Sequence, residues 1–347
     1  MLNIFDNDAF SVFRLTQAIN NIEYRPGRIE QMGLFEADRV DTTIVAVERQ
    51  GDMLKIVAPT PRGGPGRTVE KGKRDLVPLI VPHFEINDAI NADEVQGVRA
   101  FGTESTLETV INRVAQRQRQ HAQSMALTEE YARLGAVRGL VVYADDDDGN
   151  EAQAPLDLFQ TFGITEPAAV EWDFTSAAED GDLIQSCSTL TRAIGDSLGG
   201  IGYDHIHAFV GDEFFDNLLK SPEVRESYKN TSQAEWLRAQ RVLHNPGGGT
   251  RGVFEFGGIV WENYRGLTGT DFGIPDQEAA FFPVGVPGLF RTVYAPADYI
   301  ETVNTLGQRL YNKQWDSANG KRREFEVQMN ALRYCSRPGA LRRGEFA

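Results

Sequence analysis

The sequence predicts an α+β fold arranged around one long helix. Residues 105–134 contain neither proline nor glycine, and their apolar side chains recur at the spacing of one helical stripe. The stretch opens with Ser-Thr-Leu-Glu at 105–108, the pattern of a capping box, and Gly135 follows as an expected stop. Runs rich in β-branched residues flank this stretch, which argues against a helical bundle or a coiled coil.

Length and charge narrow the class of protein further. The chain has 347 residues, 41% of them hydrophobic, which is enough for about two domains with cores of their own. Its formal net charge is -15, whereas proteins that bind DNA through phosphate contacts are usually basic. Specific DNA binding is therefore not expected. The first residues lack the pattern of a secretory signal, and no apolar run approaches the ~20 residues of a membrane span.

The first part of the chain predicts a short helix, an extended arm and a long hairpin. The helix is expected over 9–22 and the extended arm over 28–38. Strands at 42–49 and 53–58 with a turn at 50–52 predict a hairpin, and 77–84 returns as a strand.

Residues 59–74, at the far end of that hairpin, are rich in glycine and proline and carry five basic residues against the single acidic Glu70. The basic residues are Arg62, Arg67, Lys71, Lys73 and Arg74. Such an arm on an acidic protein favours docking against an acidic surface, such as another copy of the chain. A loop that is merely solvated is the alternative.

The rest of the chain mixes helices with strands. Further helices are expected at 186–196, 212–221 and 232–242. Strands or extended segments are expected at 140–143, 156–164, 207–210, 253–256, 259–264 and 324–334.

One pentapeptide resembles a catalytic motif. Residues 195–199 match G-x-S-x-G, which in a hydrolase places the nucleophile, here Ser197, on a tight turn between a strand and a helix. Here a helical pattern precedes the motif, so the sequence predicts a helix end with a glycine cap. A serine hydrolase using Ser197 is the weakest of the functions considered.

Candidate metal, nucleotide and thiol sites are equally poorly supported. His205 and His207 would share one face of a strand without an evident third ligand, and the aspartates at 145–148 lack the spacing of a calcium loop. Residues 66–73 miss the spacing of a phosphate-binding loop. Cys187 and Cys335 lie far apart and are predicted to be buried, which fits a reducing compartment. No catalytic residue, metal or cofactor is therefore expected.

The last hundred residues carry a family resemblance. Phe-Phe-Pro-Val-Gly-Val-Pro-Gly-Leu-Phe at 281–290 precedes Tyr-Ala-Pro-Ala-Asp-Tyr at 294–299, then 301–307 and Leu-Tyr at 310–311. This order resembles the C-terminal signature of the phage major capsid protein E family, the lambda-type shell subunit. Upstream segments resemble the same family, so that the resemblance covers nearly the whole chain: 13–20, 26–29, 82–84, 88–90 and 92–102.

The resemblance implies the tailed-phage capsid fold of the Hong Kong 97 type. Its parts would be an N-terminal arm at 1–40, an E-loop at 41–95, and a peripheral domain at 96–164 with its spine helix at 105–134. An axial domain would span 165–298, and 299–347 would return to the peripheral domain. An isopeptide crosslink through Lys71 or Lys73 is not expected, because lambda-type relatives generally rely on decoration proteins.

The same resemblance implies a structural protein of the virion that is assembled in the host cytoplasm. Its expected partners are copies of itself in hexameric and pentameric capsomers, a scaffolding protein, a portal protein, a decoration protein and packaged double-stranded DNA, contacted without sequence preference. A membrane is not expected among them. A non-viral, encapsulin-like nanocompartment shell is the alternative within the same fold.

Overall fold

The computed structural model describes residues 12–20, 27–50, 74–96, 110–144, 154–174, 181–229, 243–244, 250–265 and 273–346. Several predicted features lie outside these ranges. They are the capping box at 105–108, the strand at 53–58, the arm at 59–73, the aspartates at 145–148 and the helix at 232–242.

The described chain contains both α-helices and β-strands. The helices are α1 (Val12–Asn20), α2 (Arg28–Gln31), α3 (Ala92–Val95), α4 (Val110–Arg138), α5 (Leu158–Thr161), α6 (Asp182–Leu198), α7 (Asp212–Lys220) and α8 (Pro222–Lys229). The strands up to α7 are β1 (Phe35–Arg39), β2 (Ile44–Gln50), β3 (Arg74–Ile80), β4 (His83–Asn91), β5 (Leu140–Val141), β6 (Leu156–Asp157), β7 (Val170–Trp172) and β8 (His205–Val210). The later strands are β9 (Leu243–His244), β10 (Thr250–Arg251), β11 (Val253–Phe256), β12 (Ile259–Asn263), β13 (Glu278–Val284), β14 (Phe290–Tyr294), β15 (Tyr311–Asp316), β16 (Arg322–Cys335) and β17 (Arg342–Phe346).

The long strand β16 organises the first sheet. Its first half pairs with β15 on one side and β4 on the other, and its second half pairs with β14, which is parallel to β1 on its far side. The helix α4 packs across this sheet. Val114 meets Phe325 in one small core, and Ala122 and Met125 meet Val327 in the next.

The exposure of α4 changes along its length. Up to Thr128 its buried side chains form a stripe, as the sequence predicts, whereas from Ala132 to Val137 every residue is buried. The last turns of the helix therefore pass through the interior of the molecule.

The second sheet has six strands in the order β11-β12-β8-β13-β17-β7. Helices α6 and α7 supply Cys187, Leu190 and Phe214 to the core that it shares with them. The centre of that core is aromatic, because Trp172 packs against the Trp261 ring at a centroid distance of 5.3 Å and against Phe281 at 5.6 Å. Trp172 and Trp261 are almost fully buried.

A third core lies where the two sheets approach the end of α4. It collects Val137 from α4, Phe282 from the second sheet and Leu332 from the first. Ile29 of α2 is fully buried in the same core, and the inward residues of the β2–β3 hairpin pack against it. Ile29 thus attaches α2 to the interior of the protein.

Two strand predictions are wrong in detail. The strand expected at 77–84 is interrupted between β3 and β4, at Pro82, which has no N–H to donate to a ladder. The segment expected to be extended over 156–164 forms only β6 before α5 begins, because the Asp157 carboxylate accepts the N–H of Gln160 and so caps a helical turn.

The prediction about the conformation of the arm is wrong at its start. The arm expected to be extended over 28–38 begins with the helical turn α2. The predicted domain division at 298 stays a prediction, although membership of the two sheets does not change at that residue. β14 lies in the first sheet, and β17 lies in the second sheet between β13 and β7.

The predicted end of the long helix is wrong as well. The helix continues through Gly135 and ends at Arg138, before Gly139 with a φ of +89°. Gly139, which adopts the left-handed region that favours glycine, is therefore the residue that ends the helix. Gly135 serves another purpose, since a Cβ there would lie 2.8 Å from the Leu140 carbonyl oxygen and from Val141 Cα.

Replacing Gly135 by alanine is expected to destabilise the subunit by about 1–3 kcal/mol, because the new methyl group would meet backbone that cannot move without disturbing β5. Gly195→Ala in α6 is the matched control, since its nearest heavy atom is the Tyr203 hydroxyl at 4.0 Å. The control should gain about 0.5–1 kcal/mol from helix propensity. Urea unfolding of both variants measures the difference, and equal shifts would refute the close-approach explanation.

Candidate functional site

The β2–β3 hairpin has apolar side chains on both of its faces. Side chains alternate across a strand, so Val45, Val47, Val77 and Leu79 share the face that packs on the third core. Val47 and Leu79 are buried there, and the other two are half-buried. This face fixes the hairpin to the body of the subunit.

The opposite face of the hairpin is an exposed apolar surface. Its exposed apolar residues are Ile44, Ala46, Leu76, Pro78 and Ile80, with Ile44 directly opposite Ile80 and Ala46 opposite Pro78, whereas Leu76 is in register with Glu48. Ile44, Leu76 and Ile80 are 54%, 63% and 69% exposed. Single exposed apolar residues are common, whereas a continuous row across two strands marks a contact surface. We call these five residues the hairpin face.

Burial of the hairpin face would contribute substantially to an association. Complete burial of one large aliphatic side chain is worth about 1.5–3 kcal/mol. Three such side chains on a rigid two-stranded support therefore form a strong candidate for a contact between subunits. The sequence contained evidence for this surface. A strand pair that is covered on one side only would alternate apolar and polar residues, whereas these two strands are apolar at successive positions.

The basic residues predicted to make contacts between subunits lie beyond the hairpin face. Arg62, Arg67, Lys71 and Lys73 are outside the described residues, and Arg74 is the first residue of β3, in register with Gln50. The structure therefore shows where residues 59–74 join β3. The contacts of their basic side chains stay a prediction.

Three consecutive residues of α2 hold the chain leading to the hairpin against the second sheet and α4. Arg28 donates from Nε and Nη2 to the Glu262 carboxylate of β12, each at 2.8 Å. The Ile29 N–H donates to Glu130 Oε1 of α4 at 2.7 Å. Glu30 accepts from Arg133 Nη1 at 2.9 Å. We call this set of contacts the α2 clasp.

Burial and neighbouring groups shift the pKa values of the ionisable residues in and around the α2 clasp. Burial acts to raise the pKa of Glu262, but hydrogen bonds from His207 and Arg28 overcome this and hold that pKa at about 2. Burial lowers the pKa of His207, so its neutral ring donates from Nε2 to Glu262 at 3.1 Å. Burial raises the pKa of Glu130.

A second buried ionic cluster joins α4 to the first sheet. Glu129 and Arg333 are fully desolvated, and their side chains meet at 2.7 Å. Arg309 donates from Nε to the other oxygen of Glu129 at 2.9 Å. Burial opposes ionisation of Glu129, but the charges of Arg333 and Arg309 prevail and lower its pKa. Sequence patterns gave no sign of this cluster, because its members are far apart in the chain.

The serine of the G-x-S-x-G motif makes hydrogen bonds that hold the end of a helix in place. Ser197 lies in the last turn of α6, which ends at Gly199 in a left-handed conformation, as predicted. Its hydroxyl donates to the Ala193 carbonyl at 2.8 Å and accepts from Arg342 Nη2 at 2.7 Å. These contacts are typical of a helix end anchored to β17, and they give the hydroxyl no base that would activate it.

The histidines and cysteines are also accounted for by packing. His207 is buried against Glu262, and the His205 and His207 ring centroids are 6.0 Å apart. Within the described ranges no group of three or more His, Cys, Asp and Glu side chains could hold a metal ion. Cys187 and Cys335 are free and buried, as predicted, and burial raises the pKa of each thiol to about 12. Among the described helices, none is long and apolar enough to cross a membrane.

Glu262 is expected to make the stability of the subunit sensitive to acid. Its pKa is about 2 in the folded chain against an ordinary value of 4.5, so its contribution is complete above about pH 5 and is lost as the pH falls toward 2. Glu262→Gln should cost about 2–4 kcal/mol at pH 7, because Arg28 and His207 lose a buried anion. The variant should also lose stability less steeply below pH 5, as measured by urea unfolding at a series of pH values.

The matched control is Glu345→Gln, which removes an exposed pair with Arg343. It should change stability by less than ~1 kcal/mol. If the Glu262 variant and the native chain gave parallel stability curves between pH 6 and pH 3, the assigned role of Glu262 would be wrong.

Comparisons with known proteins agree on one family. The family described as phage major capsid protein E matches residues 11–346. The major capsid protein of Pseudomonas phage KPP10 is 27% identical over 332 residues, which cover 92% of this chain and 92% of that protein. The major capsid protein of Salmonella phage Felix O1 (isolate Felix O1-VT1) is 25% identical over 374 aligned positions, covering 98% of this chain and 97% of its own.

A solved structure supports the fold independently. The putative capsid protein of a prophage from E. coli CFT073 is similar with a TM-score of 0.56 at 11% identity, and the match covers 97% of this chain and 99% of that one. The capsid-type fold implied by the sequence resemblance is thereby confirmed. Since the family match spans nearly the whole sequence, the chain belongs to the phage major capsid protein E family.

Proposed function

We propose that this chain is the subunit that builds the icosahedral head shell of a tailed double-stranded DNA phage. The observation that carries the proposal is the family match over residues 11–346. Its role is structural, and its place is the capsid of the virion. Within the described residues, neither Ser197 nor the histidine pair has the surroundings of a catalytic group, which agrees with that role.

In this proposal the subunit divides into the parts of the capsid fold. The peripheral domain comprises α4 and the first sheet, and the axial domain comprises the second sheet with α6 and α7. Residues 1–40 act as the N-terminal arm, and 41–95 act as the E-loop that reaches a neighbour. The hairpin face supports this role for the E-loop, because its apolar residues are covered by nothing among the described parts of the same chain.

Electrostatic attraction would guide that contact. The chain as a whole has a net charge of -15, and its five predicted contact residues are basic: Arg62, Arg67, Lys71, Lys73 and Arg74. A basic arm approaching an acidic neighbour gains rate and orientation from the opposite charges, and the apolar hairpin face then supplies the short-range free energy.

Other partners follow from the same role. A shell of hexameric and pentameric capsomers, assembled in the host cytoplasm, would use a scaffolding protein, a portal protein and a decoration protein. An acidic subunit suits a container for DNA, because it would hold the packaged double-stranded DNA without binding it tightly.

The proposal predicts self-assembly that depends on the hairpin face. The full chain, expressed alone or together with its scaffolding protein, should form rings or closed shells visible by negative-stain microscopy and light scattering. Ile80→Glu should prevent assembly or raise the concentration that it requires, because a carboxylate would be buried in the contact. The folded subunit should be unaffected, since Ile80 is 69% exposed and its cross-strand neighbour is Ile44.

Thr43→Glu is the matched control. Thr43 is exposed, lies in the bend that directly precedes β2 and is not part of the hairpin face. This variant adds the same charge at the base of the same hairpin and should assemble like the native chain. If Ile80→Glu assembled at the native concentration, the hairpin face would not be a contact between subunits. A native chain that stayed monomeric even with a scaffold would refute the shell function.

A further inference from the structure

A second exposed apolar surface lies far from the hairpin in sequence, in the segment between β14 and β15. Ile300 is 92% exposed there, and Val303 and Leu306 are 62% and 59% exposed. A side chain as exposed as Ile300 adds almost nothing to the core of its own subunit. We call residues 299–306 the projection.

The projection has a fixed shape. The buried hydroxyl of Thr302 lies 2.7 Å from the Ala297 carbonyl oxygen and 3.0 Å from that of Tyr299, so it can donate to either. The Thr305 hydroxyl donates to the Thr302 carbonyl at 2.7 Å. The Gly307 N–H donates to the Val40 carbonyl at 2.9 Å. Because these bonds already order the segment, a partner could bind it with little cost in conformational entropy.

A groove of about 520 Å³ lies beside the projection. Phe13 and Gln17 of α1 line one wall, whereas Thr302 and Leu306 line the other. Phe13 is 61% exposed, so the wall on α1 offers apolar surface as well. Ile300 and Val303 do not line the groove of their own chain.

The charges on the two surfaces are complementary. Asp298 is exposed directly before the projection, and the exposed Glu301 on the projection is paired with Lys313 of its own chain at 2.9 Å. The helix α1 carries one charged residue, the exposed Arg14, which makes no ion pair with any residue that the structure describes. Arg14 lies one helical turn from Gln17, at the edge of the groove. A projection that enters the groove would thus bring acidic side chains toward a basic one.

We propose that the projection of one subunit inserts Ile300 and Val303 into the groove beside α1 of a second copy of this chain. The inference rests on the proposed shell function, because a shell places copies of this chain next to one another. Because projection and groove are different surfaces, the contact is head-to-tail, the type that generates closed rings. It is also separate from the hairpin face, so each subunit would have at least two kinds of apolar contact with its neighbours.

Crosslinking between single-cysteine subunits tests this contact. Particles are assembled from the full chain carrying Ile300→Cys, from the chain carrying Gln17→Cys, and from an equal mixture of the two. A short bismaleimide then joins neighbouring thiols. Cys187 and Cys335 are buried, so they should not react in the folded particle. A mixture of Ile300→Cys with Ile184→Cys, an exposed position on α6, serves as the control.

The expected result is a covalent dimer in the mixture of Ile300→Cys and Gln17→Cys particles. The two unmixed preparations and the control mixture should give none. Intact particles without a dimer in the mixture would overturn the inference and leave the shell function standing, since microscopy shows assembly independently. A dimer in Ile300→Cys particles alone would also overturn it, because the projection would then pair with itself. A failure of all variants and of the native chain to assemble would instead refute the shell function, and this inference with it.

Discussion

The fully desolvated pair of Glu129 and Arg333 is the constraint on which the arrangement of the subunit depends. It joins two residues 204 positions apart, one on α4 and one on β16, and Arg309 completes it from the side. A buried pair of this kind gives little net stability, because desolvation offsets most of the attraction. Its effect is on geometry. Sliding α4 along the sheet by one turn would leave a charge buried without a partner, at a cost of several kcal/mol.

The α2 clasp extends the same constraint to the surface that is proposed to meet a neighbour. Glu130 follows Glu129 in α4 and accepts the N–H of Ile29, and Arg28 reaches β12 through Glu262. Once α4 is fixed on the first sheet, α2 is fixed against α4 and the second sheet, and the chain that continues into β2 starts from a defined place. A rigid base matters because the hairpin face can bind a neighbour only if little entropy is lost when the contact forms.

Two types of surface would contribute to the association that we propose. The hairpin face and the projection are exposed and apolar, and buried apolar surface provides most of the free energy of an interface. The net charge of -15 acts at longer range and would disfavour contact with DNA phosphates. The folded chain would gain further stability when neighbours cover these surfaces, since binding of the folded state shifts its unfolding equilibrium.

The sequence alone determined the elements that follow from local pattern, namely α4, the strands β2, β8, β11, β12 and β16, the glycine cap after Ser197, and the family. It misplaced the end of α4, because a glycine that ends a helix and a glycine that admits a passing strand look alike in sequence, and only the backbone of Val141 distinguishes Gly135 from Gly139. The sequence also did not show that β14 belongs to the first sheet and β17 to the second. Periodicity and capping act over a few residues, whereas Arg28 and Glu262 are 234 positions apart. Contacts of that range, and the exposed faces that remain once they have formed, are decided only by the tertiary structure.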